Sequence, residues 1–456
     1  MARKSLPELA ITPRNVEPRR ITRRSFIKRA AGVAAGAAVF PSIVPASAVG
    51  LGGTVAPSNR TVMASIGVGR QGTGNLRGFV RRKEVQLVAV CDVDRGHRDN
   101  ARTIVNDTYE NDDCADYNDF RELLERSDLD AISIAVPDHW HAIPAIAVAK
   151  KGLDIYAEKP LALTIPEGRA MCDAVERYGV VWQTGSWQRS QVHFQRACEM
   201  VRNGRLGAIH TVKVGLPTGR PTGVMSEMPI PDGFDYDFWL GPAPSAAYTA
   251  QRCHWNFRWI LDYSGGRLTD WAAHHCDIAN WGMGTEATGP IAVRGNGNFP
   301  REGLWNAATE YFIELDYSPG ASPVAPQGFQ MQIKNATDDW PMGARFEGED
   351  GWLHVKRRDA FTSSIDGLAE SELGSNETHL YHSRDHAKNF LECTRTRKAT
   401  IAPIQAAHHA INLAHLGNIA MQLEREVKWN SETERFVDDP EADRKLTRAM
   451  RGGWHV

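Results

Sequence analysis

The 456-residue sequence lacks the features that mark several classes of protein. Its seven cysteines are scattered and odd in number, and no CxxC pair occurs, which argues against a disulfide framework and against a zinc knuckle. HxxxH spacing is absent around the histidine pair in "HHCD", which lacks spaced ligands, so we expect no bound metal. No internal repeat is present, and no run beyond the N-terminal segment is long and apolar enough to span a bilayer.

The charge pattern excludes an extended nucleic-acid-binding surface. Residues 1–29 contain nine Lys and Arg against two Glu, which leaves 44 basic and 53 acidic residues in the rest of the chain. The body is therefore acidic, and its basic residues form no stripe, so we expect no nucleic-acid partner. A hydrophobic content of 42% over this length is typical of a globular protein with two domains.

The basic N-terminus has the pattern of an export signal. The segment "TRRSFIK" (Thr22 to Lys28) resembles a twin-arginine motif, an apolar stretch rich in Ala and Gly follows, and Ala46-Ser47-Ala48 fits a cleavage site. We predict a signal peptide over residues 1–48, export through the Tat translocase and a periplasmic location. In the alternative, the signal is not cleaved and tethers the protein to the periplasmic face of the membrane.

The segment after the signal has the pattern of a dinucleotide-binding fold. A short apolar run ends at Ile66, and Gly67, Gly69 and Gly72 follow with the GxGxxG spacing at the start of a helical stretch. Such glycines let the backbone turn tightly and approach a pyrophosphate at a helix N-terminus. A second strand-like run ends at Asp92, whose carboxylate suits a ribose diol and repels a 2′-phosphate. We therefore expect NAD in preference to NADP.

Strand and helix patterns alternate up to about residue 188, which predicts a parallel sheet with helices on both faces. One of these helices is expected over residues 120–129, "FRELLERSDL". Ligands in such folds bind beyond the carboxyl ends of the strands, where Pro137, Glu158-Lys159 and Trp187 fall. We assign residues 49–188 to a Rossmann domain. The later strand-like runs predict an α+β domain over residues 189–456, with a large, mostly antiparallel open sheet.

A second group of reactive side chains lies in "SGGRLTDWAAHHCD". Asp270, His274 and Asp277 are spaced i, i+4, i+7 and share one helical face. A carboxylate one turn from an imidazole can orient it and raise its basicity, although Asp270 and His274 could also be an ordinary surface pair. A His/Lys pair beside a nicotinamide is what alcohol oxidation requires.

These motifs together resemble the Gfo/Idh/MocA oxidoreductases, the family of glucose–fructose oxidoreductase and inositol dehydrogenase. The resemblance rests on the three glycines, "VPDHWHAIPAIAVAKKG", Glu158-Lys159-Pro160 and the segment containing Asp270 and His274, and it covers nearly the whole mature chain. It implies catalytic roles for Lys159, His274 and Asp270, a cis bond before Pro160, and a homo-oligomer, dimer or tetramer, formed through the second sheet. The predicted cofactor contacts are Gly67, Gly69, Arg70, Gly72, Asp92, Pro137, His141, Glu158 and Lys159.

The substrate is predicted less directly. The candidate sugar contacts are Trp187, Arg189, Arg258 and Trp255, together with Asp270 and His274. The alternative for the first four is that they are core tryptophans and structural ion pairs. We expect a sugar, polyol or glycoside hydroxyl to be oxidised with tightly bound NAD. A redox-neutral glycosidase or lyase that oxidises the sugar transiently is the alternative, and a catalytically silent sugar-binding module is disfavoured because Lys159, Asp270 and His274 are all present.

Overall fold

Six parallel strands form the first sheet of the chain, which this computed structural model describes over residues 59–456. The predicted signal peptide therefore lies outside the described residues. The strands coincide with apolar runs of the sequence that are rich in β-branched residues. They are mostly buried, as expected where helices cover both faces of the sheet. They are β1 (Thr61–Ile66), β2 (Val85–Cys91), β3 (Ala115–Tyr117), β4 (Ala131–Ile134), β5 (Asp154–Ala157) and β6 (Trp182–Thr184).

Five helices connect these strands: α1 (Arg70–Val80), α2 (Arg95–Tyr109), α3 (Phe120–Leu123), α4 (Ala142–Lys150) and α5 (Ile165–Tyr178). The helix predicted over residues 120–129 is wrong in its length, because α3 ends at Leu123. A turn follows, in which Arg126 pairs with Asp128 at 2.6 Å. Ser127 and Asp128 favour turns over helix interiors, and this local preference outweighs the apolar pattern.

The strand order of the first sheet is β3-β2-β1-β4-β5-β6, and all of its pairings are parallel. The order reverses between β1 and β4. Loops leaving the two strands diverge at such a reversal and open a crevice beyond their carboxyl ends. A cavity is lined there by Ile66, Cys91 and Ala135, at or just beyond the ends of β1, β2 and β4.

The second sheet has nine strands in the order β13-β12-β11-β7-β10-β9-β8-β14-β15. Only β7 and β10 pair in parallel, so the sheet is mostly antiparallel, and the predicted fold class is confirmed. Its strands are β7 (Ile209–Leu216), β8 (Ala292–Asn298), β9 (Glu310–Tyr317), β10 (Phe329–Asn335), β11 (Gly343–Gly348), β12 (Trp352–Val355), β13 (Thr362–Ser363), β14 (Val427–Asn430) and β15 (Arg435–Phe436).

Two long helices of the second half, α8 and α10, pack against each other and against this sheet. Almost every side chain of both is buried, including the histidines and asparagines that interrupt their apolar residues. The helices of this half are α6 (Val192–Arg202), α7 (Tyr236–Leu240), α8 (Gly266–Met283), α9 (His386–Thr396), α10 (Ile404–Leu423) and α11 (Pro440–Arg444).

The last third of the chain also returns to the first sheet. Phe390 of α9 packs edge-on against Phe79 and Tyr156, and the Thr184 amide donates a hydrogen bond to the Ala402 carbonyl. The two sheets are thus joined by packing as well as by sequence. All seven cysteines are buried free thiols. Across residues 59–456, no helix combines the length and the hydropathy that crossing a membrane requires.

Candidate active site

One cavity of about 610 Å³ brings together the residues predicted for the cofactor and for catalysis. The glycine loop, the end of β2 and the loops after β4 and β5 form one side of it, and the start of α8 forms the other. The residues predicted from sequence that line it are Gly67, Gly69, Arg70, Asp92, Pro137, Glu158, Lys159, Trp187, Arg258, Asp270 and His274.

Two of the three motif glycines lie so close to neighbouring backbone atoms that no side chain fits there. Gly67 has φ +77°, and a Cβ there would lie 2.5 Å from the Ala135 carbonyl oxygen. A Cβ on Gly72 would lie 1.9 Å from the Gly67 carbonyl oxygen, because α1 begins directly against the loop. Gly69 meets no backbone and lines the cavity. The loop therefore leaves space at the N-terminus of α1, where a phosphate binds favourably.

Asp92 fixes this loop from the end of β2. One carboxylate oxygen accepts a hydrogen bond from the Val68 amide at 2.8 Å, and the other accepts one from the Asp94 amide at 3.0 Å. Oδ1, which accepts only from Asp94, keeps a second lone pair for a ribose hydroxyl. His97 lies 3.5 Å from Asp92, and this hydrogen-bonding contact raises the pKa of the imidazole.

Glu158 and Lys159 leave the end of β5 in different directions. Glu158 accepts hydrogen bonds from the side-chain amides of Gln71, at 3.1 Å, and Asn75, at 3.0 Å, on α1. The bond between Lys159 and Pro160 is cis, as the resemblance implies. The Lys159 ammonium enters the cavity and lies 2.6 Å from an Asp270 carboxylate oxygen.

Asp270 is paired with cations rather than with His274. Besides Lys159, it accepts a hydrogen bond from Arg267 at 3.0 Å and lies 3.7 Å from Arg258. Burial alone would raise its pKa, but these three cations lower it to about 2, so the carboxylate is ionised. The expectation that Asp270 orients the His274 imidazole is wrong, because Asp270 is engaged by the ammonium and the guanidinium groups.

His274 lines the cavity beside two aromatic rings, with its centroid 6.3 Å from that of Trp187 and 5.8 Å from that of Trp271. Burial, reinforced by the charges of Lys159 and Arg357, lowers its pKa well below the usual value. Its Nδ1 atom is buried without a hydrogen-bond partner among the described residues. The neutral imidazole can therefore accept a proton in this site.

A second buried acid, Asp138, lies near Lys159. Ser264 donates a hydrogen bond of 2.5 Å to Asp138, which is 3% exposed, and burial raises the pKa of Asp138 to about 7. The Ser264 hydroxyl gives this buried carboxyl group a hydrogen-bond partner.

His141, predicted as a cofactor contact, does not line the cavity and lies behind its wall. The ring is buried, with Nε2 lying 2.8 Å from the Val136 carbonyl and Nδ1 3.2 Å from the Leu161 carbonyl. Burial lowers its pKa, so one nitrogen donates at a time. His141 joins the loops after β4 and β5 and positions their cavity-lining residues.

Arg189 is also absent from the cavity wall, and its prediction as a sugar contact is corrected. Its guanidinium binds both carboxylate oxygens of Asp277 at 2.8 Å and contacts Glu286 at 2.8 Å. The Arg189 and Asp277 side chains are each 2% exposed. Asp270 and Asp277 share a helical face, but only Asp270 reaches the cavity, whereas Asp277 forms a buried ion pair with Arg189.

Arg267, Trp271 and Arg357 are among the cavity residues that sequence reasoning missed. Arg267 and Trp271 lie inside the recognised motif, one helical turn or less from Asp270, and helical spacing could have identified them. Arg357 follows β12 in a loop without any motif. No sequence signal connects it with α8, and only the fold brings it there.

Three groups at the other end of the cavity could geometrically hold a metal ion. Asp94, His97 and His254 each offer one ligand atom, and these atoms lie within 4.8 Å of one another. The Asp94 side chain already caps α2 by accepting hydrogen bonds from the Gly96 and His97 amides. The absence of a metal therefore remains a prediction.

Comparison with known families matches both halves of the chain. Residues 62–186 match the model described as the NAD-binding Rossmann fold of an oxidoreductase family, and residues 191–456 match that family's C-terminal alpha/beta domain.

Individual curated relatives match only part of the chain. The chain is 33% identical over 207 residues to glycosyl hydrolase family 109 protein 1 of Shewanella sp. (strain MR-4), covering 41% of this chain and 44% of that protein. It is 32% identical over 209 residues to the alpha-N-acetylgalactosaminidase of Shewanella oneidensis, with the same two coverages. The chain thus spans less than half the length of these curated relatives.

Among solved structures, the aldose-aldose oxidoreductase of Caulobacter crescentus shares the fold, with a TM-score of 0.58 at 18% identity over 81% of this chain and 99% of that one.

Proposed function

The chain belongs to the Gfo/Idh/MocA oxidoreductase family, and from this membership we propose that it oxidises a hydroxyl of a sugar, polyol or glycoside with tightly bound NAD. The observation that carries the proposal is one continuous cavity. The glycine loop and Asp92 line it together with Lys159, Asp270 and His274. A dinucleotide site and a proton-transfer site that share a cavity are what such an oxidation requires.

The residues fit a dinucleotide. Close backbone contacts exclude a side chain at Gly67 and Gly72, and the Gly69 position faces the cavity. Asp92 retains acceptor capacity for a ribose diol, and its charge favours NAD over NADP. When bound, NAD supplies an acceptor for the hydride of the oxidised carbon. Tighter binding of NADP than of NAD would contradict the role given to Asp92.

In this proposal, Lys159 and His274 divide the work on the hydroxyl group. The Lys159 ammonium, fixed by Asp270, donates a hydrogen bond to the reacting oxygen and orients it. The neutral His274 imidazole takes the hydroxyl proton at Nε2, because Nδ1 is enclosed by protein. Asp270 stays ionised and acts by positioning Lys159, Arg267 and the substrate.

A second function, redox-neutral cleavage of a glycosidic bond, is favoured by the identity shared with proteins named as glycosyl hydrolases. Transient oxidation acidifies the neighbouring C–H bond, so that elimination can release the leaving group before the sugar is reduced again. Oxidation of the hydroxyl uses the same Lys159 and His274 in both functions. The two differ only in the fate of the intermediate.

Product analysis separates these functions. The protein is incubated with a panel of free sugars, polyols and glycosides, and the products are identified by mass spectrometry. A product two hydrogens lighter than its substrate, formed with equivalent NADH, supports the oxidoreductase. A cleaved sugar of unchanged oxidation state supports the glycosidase or lyase. Neither product from any substrate, with NAD bound, would contradict both.

We propose that the protein is exported folded, with its nucleotide, by the twin-arginine route. A soluble NAD pool is not expected outside the inner membrane, and a folded passenger can carry its cofactor. Replacing Arg23 and Arg24 by Lys should retain the chain in the cytosol, as measured by cell fractionation, whereas unchanged export would contradict the proposal. Cleavage at residue 48 is tested by N-terminal sequencing of the exported protein.

We also propose a homo-oligomer formed through the second sheet. The face of this sheet turned away from α8 and α10 carries paired charges, including Arg294 with Glu314 at 3.0 Å and Lys213 with Glu347 at 2.9 Å. Light scattering should give a mass of two or four chains, and a monomer at micromolar concentration would contradict the proposal.

A further inference from the structure

Arg357 lies against two tryptophan rings at the catalytic end of the cavity. Its guanidinium carbon lies 4.5 Å from the centroid of Trp187 and 4.5 Å from that of Trp271. All three residues line the cavity together with Lys159 and His274. An indole offers no hydrogen-bond acceptor, so the N–H donors along the edge of the planar guanidinium need other partners.

Gln188 fixes the orientation of that edge. With its amide turned so that both of its groups are satisfied, the Gln188 carbonyl accepts a hydrogen bond from Arg357 Nε at 2.7 Å, and its amide donates to the His274 carbonyl at 3.0 Å. The remaining donors are the two terminal nitrogens. Nη2 is buried and has no hydrogen-bond partner in the described part of the chain.

Arg357 also lacks a direct ion pair. No carboxylate within residues 59–456 forms a salt bridge with it, and Asp270, whose charge acts on Arg357 without contacting it, is engaged directly by Lys159 and Arg267. Burial lowers the pKa of Arg357 to about 10, which leaves the group protonated at neutral pH. A half-buried cation without a counter-ion is costly unless a ligand supplies the opposite charge.

We infer that the substrate carries an anionic oxyacid group, the carboxylate of a uronic acid or a sulfate ester, and that Arg357 binds this group. The inference rests on the proposed function, because it names the substrate class of the same site. An oxygen of the carboxylate or sulfate accepts a charge-assisted hydrogen bond from a terminal nitrogen of the guanidinium. Lys159 and His274 then meet a hydroxyl elsewhere on the same sugar ring.

A purely structural role is the competing explanation, since the tryptophan–arginine stack also fastens the loop after β12 to α8. The two explanations differ in their effect on selectivity. Loss of a structural stack lowers the affinity for neutral and anionic sugars alike. Loss of an anion-binding group lowers the affinity for anionic sugars alone.

The experiment uses matched ligands on the NAD-loaded protein. Isothermal titration calorimetry compares methyl β-glucoside, methyl β-glucuronide and glucose 6-sulfate in the wild type, Arg357→Gln, Arg357→Lys and Arg358→Gln. Arg358 is the control, because it is exposed, adjacent in sequence and absent from the cavity wall. Arg357→Lys keeps the charge, so it guards against a folding defect in Arg357→Gln.

We expect the better of the two anionic ligands to bind the wild type at least about tenfold more tightly than the glucoside, as a charge-assisted hydrogen bond predicts. This preference should disappear in Arg357→Gln, persist in part in Arg357→Lys and remain intact in Arg358→Gln. The anion that binds more tightly identifies the source of the charge. Equal affinity for all three ligands, or a preference that survives Arg357→Gln, would overturn the inference.

Absorbance of NADH, recorded in parallel, separates this result from the proposed function. Reduction of NAD by neutral sugars, without a preference for anions, would overturn the anion site and leave the oxidoreductase standing. If the protein holds no NAD but binds an anionic sugar selectively, the anion site stands and the oxidoreductase is overturned.

Discussion

Lys159 and Asp270, 111 residues apart in the sequence, meet at 2.6 Å between Nζ and Oδ1. Lys159 follows a strand of the first sheet, and Asp270 lies on the helix that covers the second. The contact therefore depends on how the two halves of the chain pack, and neither half forms it alone. Because Arg267 also donates to Asp270, the carboxylate keeps a cation when the lysine is removed.

Lys159→Ala should reduce turnover by about 10²-fold or more, because the reacting hydroxyl loses its hydrogen-bond donor. Nucleotide binding should persist, since Glu158 and the glycine loop keep their own contacts. The measurements are the steady-state rate and the NAD(H) content of the purified variant. Lys150→Ala, at the exposed end of α4, is the matched control and should be unaffected. A Lys159→Ala enzyme of wild-type rate would remove Lys159 from catalysis.

Two glycine variants test the dinucleotide loop. Gly72→Ala places a Cβ 1.9 Å from the Gly67 carbonyl oxygen, so the loop must move, and NAD affinity should fall at least about tenfold. Gly74→Ala, two residues further along α1, meets nothing within 4 Å. It should bind NAD normally and gain about 0.5–1 kcal/mol of stability, because alanine favours the helix. Equal NAD affinities for the two variants would refute the close-approach explanation.

Arg189→Met should act on stability rather than on substrate binding. It leaves the Asp277 carboxylate buried without its bidentate partner, which costs about 3–5 kcal/mol of unfolding free energy. Arg102→Met removes a surface partner of Asp99 and Asp116 and should cost less than about 1 kcal/mol. Denaturant unfolding measures both values. A raised KM for Arg189→Met with unchanged stability would restore the substrate-contact role.

His275 should make the protein sensitive to acid. Both of its ring nitrogens are buried without partners in the described chain, and burial, with the charges of Arg357 and His354, lowers its pKa to about 3. A lowered folded-state pKa means that the unfolded chain binds the proton first. The stability that neutral His275 contributes to the folded state is therefore fully present above about pH 6.5. The free energy of unfolding then falls by about 1.4 kcal/mol per pH unit as the pH decreases toward 3.

The matched experiment for this prediction compares unfolding free energies at two pH values. Between about pH 7.5 and 5.5, His275→Phe should lose about 1 kcal/mol less stability than the wild type, whatever its packing does at neutral pH. His455→Phe, at an exposed site, should show the wild-type dependence. If His275→Phe and the wild type lose stability in parallel, the imidazole is not titrating on unfolding.

The parts of this fold that could be predicted from the sequence are those with local causes. A few neighbouring residues are enough to explain three of these features. They are the glycines that the backbone contacts closely, the acid at the end of a strand and the proline after Lys159. Strand and helix periods gave the fold class for the same reason. The length of α3 was wrong because turn preference and apolar pattern compete over Ser127 and Asp128.

The partners of charged groups could not be predicted in this way. Helical spacing placed Asp270 near His274, but the cations that hold Asp270 include one from a strand end more than a hundred residues away. Asp277 shares the face of Asp270, yet it faces Arg189 and stays in the core. Arg357 reaches the site from a loop after β12, and its role follows from packing alone.

The central claim is that this cavity holds a nicotinamide dinucleotide next to Lys159 and His274. The most direct test is to purify the protein without added nucleotide, denature it and measure NAD(H) per chain in the supernatant. We predict close to one nucleotide per chain, or full occupancy after addition of NAD. An empty protein that also fails to bind added NAD would contradict the account.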